Sequence, residues 1–416
     1  MRISSPNRFE LFIWLLLAIL ALANIGKALR YPQNHDQPVD FRQLYLAGRL
    51  ILEDKNPYDD AAIKTKWEEM AIQGQLTTSR APGFPQNGVV YPLHTLYAFA
   101  PVAALGWNTA RLFWWVFTII AFIIVAMLAQ AIAFPNWSTW KLVVLMLVFK
   151  GTMPSLLIGQ PLWIALMGFF FAMYADRHNK HFQGALGVFF VSLKISLLFP
   201  LLLWWLIRRR WKMLWTSVGV LTFVMLLLLL ISPDVAVRMT SMLSNMQTQW
   251  ASVYEMGAFN SLAVNITELG PLFFPENKPA IIFHIAGLAL SCGLAILVWG
   301  FTRPQRKLGW HDVNRYLFSS SIYRKDIALL SLFLISSLLW SYHLIYDAVP
   351  VFIFAVALFR KHTFYRILMV LAILPLVLPV NGLLGADPWS IHLPVTLAAL
   401  FLLTITGFFT NLFQRK

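Results

Sequence analysis

Apolar runs of membrane-spanning length recur along this chain, and nothing else in the sequence constrains its fold so tightly. Met213–Ile231 holds nineteen residues without a single charge. A bilayer core is crossed by roughly 20 apolar residues in a helix, because the backbone must satisfy its own N–H and C=O groups there. The remaining runs are Leu11–Leu29, Tyr91–Leu105, Leu112–Phe134, Leu142–Ile158, Leu162–Ala175, Gly184–Ile207, Pro279–Phe301, Ile327–Trp340, Leu344–Phe359, Ile367–Pro379 and Ile391–Phe409. They predict an all-α polytopic membrane protein with about twelve transmembrane helices, within a range of ten to thirteen. Tyr91–Leu105 carries Pro92 and Pro101 and is short enough to be re-entrant instead of spanning. Composition agrees: 59% of residues are hydrophobic and 12% charged, against about 25% charged in soluble domains. A disordered chain is excluded, and a water-soluble enzyme is disfavoured.

Charge sets the orientation. The net charge of +15 would suggest nucleic acid in a soluble protein; here it reads as basic cytoplasmic loops against anionic headgroups, with no nucleic-acid partner. Arg208–Lys212, Arg303–Lys307, Arg360-Lys361 and Arg415-Lys416 fall on one side of a twelve-span count, with Arg2 and Arg8. That side is expected to be cytoplasmic and to hold both termini. One loop dissents: Arg177, His178, Lys180 and His181 land outside. Ala21-Leu22-Ala23 has the form of a signal-peptidase site, but an uncleaved anchor is the expectation. The lone Cys292 permits neither an intramolecular disulfide nor a cysteine metal cluster.

The chain is expected to form one transmembrane domain over residues 1–416, with outer loops at 30–90 and 233–278. In the first loop, Phe41, Leu44, Tyr45, Gly48, Ile51 and Leu52 share a helical face behind Asp40, an N-cap with Gln43 three positions on. Asn56-Pro57 ends that helix, and a second amphipathic helix is expected over Ala61–Ile72. Both could lie on the membrane surface, apolar side down. Asp40 therefore has two readings, helix cap and general base; Asp59 has the same pair of readings at the second helix. Lys194 sits about ten residues from either end of its apolar run, where a charge is costly and by default functional. His343 lies between Tyr342 and Asp347, an interfacial histidine or a hydrogen-bond donor to phosphate or sugar. Gln160 and Asn260 are polar groups near span ends, and Arg42 and Arg80 are outer cations for which headgroup contact is the plainer reading.

Asp40 ahead of an aromatic-rich helix, then Ala47-Gly48-Arg49 and Asn56-Pro57-Tyr58-Asp59, resembles the opening signature of glycosyltransferase family 87. Val90-Tyr91-Pro92, Ile158-Gly159-Gln160, Gly184–Lys194, Asn260-Ser261-Leu262 and Trp340-Ser341-Tyr342-His343 resemble later landmarks in the same order. Two positions depart: Lys194 is followed by Ile195 where proline is usual, and Ser261 follows Asn260 directly where glutamine often intervenes. The resemblance implies a GT-C-like fold in a bacterial inner membrane. It implies transfer of a mannose-like hexose or a pentose from a polyprenyl-phosphate donor to a lipid or glycan acceptor on the non-cytoplasmic face. No cofactor beyond the lipid-linked donor is implied, and no metal. It makes Asp40 the first choice for the base, with Asp59 second. The expected substrate contacts are His343, Lys194, Gln160, Asn260, Tyr45, Arg80 and Asp347. The rival reading is a transporter or flippase, which predicts paired halves with broken helices in corresponding positions; no such pairing is visible in the sequence.

Overall fold

A computed structural model describes residues 8–30, 39–73, 89–232, 234–256, 281–301, 324–340, 345–359, 363–377 and 389–409. Among these, every regular element is a helix. In chain order they are α1 (Arg8–Arg30), α2 (Val39–Leu52), α3 (Asp60–Ile72), α4 (Leu93–Ala103), α5 (Trp107–Ala133), α6 (Thr139–Val148), α7 (Thr152–Leu157), α8 (Leu162–Arg177), α9 (His181–Val191), α10 (Ile195–Ile207), α11 (Trp211–Ile231), α12 (Val235–Met256), α13 (Ile281–Phe301), α14 (Arg324–Trp340), α15 (Val349–Phe359), α16 (Thr363–Val377) and α17 (Trp389–Phe409). A 3-10 turn, Ile345–Ala348, precedes α15. Three described helices are long and apolar enough by themselves to cross a membrane: Glu10–Lys27 within α1, Trp107–Ala133 and Trp211–Ile231. Their outward residues, such as Leu11, Ile119 and Leu229, are exposed and apolar, as lipid-facing positions must be.

Contacts between helix ends define two ends of the bundle. At the first, Lys141 pairs with Glu10 at 2.6 Å, and Trp14 meets Trp137 edge-on. Arg177 donates to the Ala131 carbonyl at 2.9 Å. Asp176, fully buried, binds Arg208 at 2.5 Å and also Arg210, while the Trp204 indole donates to the Asp326 carbonyl. This is the basic end, and it includes the Arg177–His181 turn. The loop that dissented from the charge pattern thus sits with the Arg208–Lys212 cluster.

Two departures from the sequence reading produce that result. The run Tyr91–Leu105 does not lead away from the first outer loop. Tyr58 Oη donates to the Tyr91 carbonyl at one end of α4, and Tyr45 Oη donates to Leu105 at the other, both at 2.8 Å. α4 therefore runs back along α2, and a Cβ on Gly48 would come within 2.7 Å of Ala103. The run Gly184–Ile207, expected as one span, breaks into α9 and α10 at Ser192–Lys194. One apparent span is lost and another gained, so every helix between them reverses direction.

Close approach of backbones holds the centre. α8 crosses α9 at Gly168 and Gly187, where a Cβ on either would come within 2.7 Å of the other's carbonyl oxygen, the small-residue packing usual between apolar helices. α6 stops at Val148 and α7 starts at Thr152; Asn24 of α1 donates to the freed carbonyls of Leu147 and Val148 at 3.1 and 3.0 Å. A broken helix in an apolar setting needs such donors.

Candidate active site

α2 begins by docking on the turn between α7 and α8. The Asp40 and Phe41 N–H groups both donate to the Ile158 carbonyl, at 3.0 and 3.3 Å. A backbone carbonyl thus satisfies the first-turn donors that a cap side chain would otherwise take. This corrects the expected capping box: Asp40 lies inside the first turn, and its carboxylate is released from capping. The turn is shaped by Gly159 at φ 72°, a conformation glycine adopts without steric cost, and the Trp114 indole donates to the Gly159 carbonyl at 3.0 Å. The geometry places Gln160 Nε2 as a donor to Asp40 Oδ2.

α2 does not lie on a membrane surface. Phe41, Leu44, Tyr45, Leu46, Ala47 and Leu50 are all buried. Phe41 alone meets Phe99, Trp107 and Trp114 with ring centroids 5.3–5.7 Å apart. The expected boundaries hold, and the helix ends through Asp54 at φ 54°, with Lys55 N–H returning to the Leu50 carbonyl.

A second charged group closes on the first. Lys194, in the break between α9 and α10, forms an ion pair with Asp347 in the 3-10 turn before α15. The sequence placed Lys194 deep inside a span; the break brings it to a helix junction instead. Burial pushes the Asp40 carboxyl up to about 7, opposed by Lys194 and Arg42 and reinforced by Asp347. The Tyr91 phenol is raised well above its ordinary value by burial and by the same two carboxylates, Asp40 first. Asp40, Gln160, Lys194, Asp347 and Tyr91 therefore form one neighbourhood. A carboxylate tuned near neutrality by desolvation is suited to take a proton at neutral pH.

Other expected site residues are placed elsewhere. Asp59 is exposed, and its Oδ1 accepts the Ala61 and Ala62 N–H groups at 3.0 and 3.2 Å, the capping reading. Tyr45 is fully buried; its hydroxyl ties α2 to the end of α4 and accepts from Arg49 Nε at 3.2 Å. These contacts pack it between α2 and the end of α4. His343, Asn260 and Arg80 lie outside the described residues. Among the described residues, no group of three His, Cys, Asp or Glu side chains could hold a metal ion.

Two neighbours escaped the sequence reading, and a third was read only as an outer cation. Tyr91 was visible only as half of a Tyr-Pro pair. His94 Nε2 lies 2.8 Å from Ser192 Oγ. That hydroxyl already donates to the Phe189 carbonyl at 2.6 Å, so it accepts from His94, which assigns the proton to Nε2. Arg42 is buried and stacks on Trp67 with its guanidinium carbon 4.5 Å from the ring centroid. A histidine at a helix start and a Trp 25 residues away carry no local signal of such contacts.

Residues 90–321, more than half of the chain, match the family model of glycosyltransferase family 87. The chain belongs to glycosyltransferase family 87. No curated protein and no solved structure matches it. The family-87 match contains Tyr91, His94, Gln160 and Lys194; it begins beyond Asp40 and ends before His343 and Asp347. For a family-87 glycosyltransferase, the neighbourhood supplies one carboxylate near neutrality, an amide that orients it, and cations beside it.

Proposed function

We propose that this chain transfers one sugar, a mannose-like hexose or a pentose, from a polyprenyl phosphate to a lipid or glycan acceptor. Asp40 takes the proton of the acceptor hydroxyl, and direct displacement inverts the anomeric centre. Gln160 holds the carboxylate in place through one oxygen, leaving the other for the acceptor. The observation that carries this reading is the release of Asp40 from capping: its backbone is docked on Ile158 while its side chain is bound by Gln160. Lys194 and Asp347 supply a paired framework beside it, and His343 is proposed as a donor to the same substrates. The chemistry uses no cofactor beyond the lipid-linked donor.

Orientation is part of the proposal. Taking the basic end as cytoplasmic makes α1, α5, α6 with α7, α8, α9, α10, α11, α13, α14, α15, α16 and α17 twelve crossings. Both termini are then cytoplasmic, and Asp40 is on the extracytoplasmic side of a bacterial inner membrane. Membership of a glycosyltransferase family favours this over the transporter reading.

The test is sugar transfer by membranes holding wild type or Asp40→Asn, supplied with labelled polyprenyl-phosphate mannose and other polyprenyl-phosphate sugars. Wild type is expected to transfer, and the product linkage to be inverted relative to the donor. Asp40→Asn, which keeps its size and its acceptor for Gln160, is expected to be abundant and inactive. Equal transfer by both would remove Asp40 from the mechanism.

A further inference from the structure

His94 leaves half of its polar capacity unused. Its Nε2 lies 2.8 Å from Ser192 Oγ, and its ring packs on Phe189 with centroids 6.1 Å apart. The Ser192 hydroxyl spends its single proton on the Phe189 carbonyl at 2.6 Å, so the proton between the two side chains belongs to His94 Nε2. Nδ1 is then a bare lone pair. Among the described residues no other hydrogen bond or ion pair reaches the ring, and Nδ1 is not sealed from solvent. Burial pulls the imidazole down to about 4, which keeps Nδ1 unprotonated at neutral pH. Position adds to this chemistry. Tyr91, three residues before His94, is coupled to Asp40 and Asp347. Ser192 stands two residues before Lys194, the partner of Asp347. The two segments that meet at His94 thus each carry a member of the Asp40 neighbourhood. The carboxylates there are engaged, Asp40 by Gln160 and Asp347 by Lys194; Nδ1 adds a neutral acceptor.

We propose that His94 Nδ1 accepts a hydrogen bond from a hydroxyl of the sugar substrate, and so selects sugars that carry a hydroxyl at one ring position. This rests on the sugar transfer proposed above. The Ser192 bond fixes the tautomer, since the hydrogen bond at one ring nitrogen decides which of the two carries the proton. An acceptor-only contact makes a specific demand: the substrate group must bring the proton. Deoxygenation removes that proton. Fluorine removes it too, because it puts an acceptor where the hydroxyl stood. A protein group that donates would tolerate fluorine, whereas Nδ1 rejects both changes. The hydroxyl can belong to the transferred sugar or to an acceptor glycan, which offer the same chemistry.

The test uses purified full-length wild type, His94→Gln, His94→Asn and Ser192→Ala. Gln keeps a donor where Nε2 stands and lacks the Nδ1 acceptor; Asn does the reverse. The donors are polyprenyl-phosphate mannose and its monodeoxy and monofluoro forms, and the acceptors are octyl mannoside and its monodeoxy and monofluoro forms. Transfer is read as the ratio of kcat/KM in wild type to that in each variant, which cancels the intrinsic reactivity of each sugar. His94→Gln is expected to lower kcat/KM on the order of tenfold with the parent sugars, the scale of one neutral hydrogen bond. The ratio is expected to fall to about one for the deoxy and fluoro forms at a single ring position. That position lies on the donor if the transferred sugar is held, and on the acceptor if the glycan is. His94→Asn should keep most of the discrimination. Wild-type kcat/KM in His94→Gln, with equal losses in His94→Asn and Ser192→Ala, would overturn the contact by making His94 a strut between α4 and the α9–α10 junction. A ratio that disappears with the deoxy form and persists with the fluoro form would also overturn it, because Nδ1 would then be donating. Thermal stabilisation by polyprenyl-phosphate mannose, compared with sugar-free polyprenyl phosphate, keeps the two readings apart. Extra stabilisation by the mannose form that His94→Gln removes, in a wild type that transfers nothing, would sustain the contact and sink the transfer reading. Transfer with a His94→Gln ratio that is the same for every sugar form would sustain transfer and sink the contact.

Discussion

At the scale of single residues, Asp40 is governed by two opposed effects. Desolvation raises its carboxyl to about 7, while the Gln160 amide, by donating to the charged form, holds it down. Gln160→Leu removes that donor, so the acidic limb of kcat/KM against pH is expected to move to higher pH, by about one unit if the bond is worth about 1.5 kcal/mol. Movement to lower pH would contradict the assignment. Stability follows the same group. A carboxyl raised in the folded state contributes stability that is fully present below its unfolded value of 3.8 and lost as pH rises through about 7. Wild type is therefore expected to lose thermal stability between about pH 4 and 7 relative to Asp40→Asn, read as the difference in Tm. The sequence offered Asp40 as cap or base and could not choose, because the group that caps α2 is a backbone carbonyl 118 positions away. It separated Asp59 no better, although that residue's capping is purely local. Gln160 was legible as a glycine-glutamine turn, but its partner was not.

At the scale of elements, the breaks carry the information. Nothing in Ser192-Leu193-Lys194 resembles the glycine or proline that usually marks an interrupted helix, so one long apolar run conceals two helices. The intramembrane Lys194 was the visible trace of the interruption, read as depth. Its pair with Asp347 joins the α9–α10 junction to the turn before α15. Removing one partner leaves a buried charge, so Lys194→Met or Asp347→Asn is expected to cost about 3–5 kcal/mol. Replacing both by apolar residues should cost less, a difference seen as partial recovery of Tm in the double variant. α12 is a second such element. Arg238 reaches Asp54 at 2.9 Å and Tyr97 Oη at 2.7 Å, Ser241 accepts from Asn56 at 3.0 Å, and Asn245 donates to the Tyr58 and Val89 carbonyls at 3.0 and 3.3 Å. One polar face thus braces the segments that carry α3 and Tyr91. The sequence showed only a polar outer loop there, since each partner lies in a distant part of the chain.

At the scale of the molecule, composition was enough for the class: apolar runs and sparse charge give a helical membrane protein. Direction was not legible, because Tyr91–Leu105, short enough to be re-entrant, was counted among the twelve spans and Gly184–Ile207 was read as a single one. Those two errors cancel in number and invert what lies between them, which is why the Arg177–His181 turn was separated from Arg208–Lys212, against which it packs. The corrected path is testable with the single native cysteine removed by Cys292→Ser. A cysteine at Asn179 is expected to be labelled by an impermeant reagent only from the cytoplasmic side, and one at Gly106 only from the opposite side. Labelling of both from the same side would break the proposed path.

The central claim is that Asp40 is the base, and the pH dependence of transfer tests it most directly. With purified protein and a polyprenyl-phosphate sugar, kcat/KM for wild type is expected to rise with pH along a single limb centred near 7. Asp40→Asn is expected to show no transfer at any pH. A wild-type profile that is flat through that range, or an Asp40→Asn variant that transfers with the wild-type profile, would contradict the account.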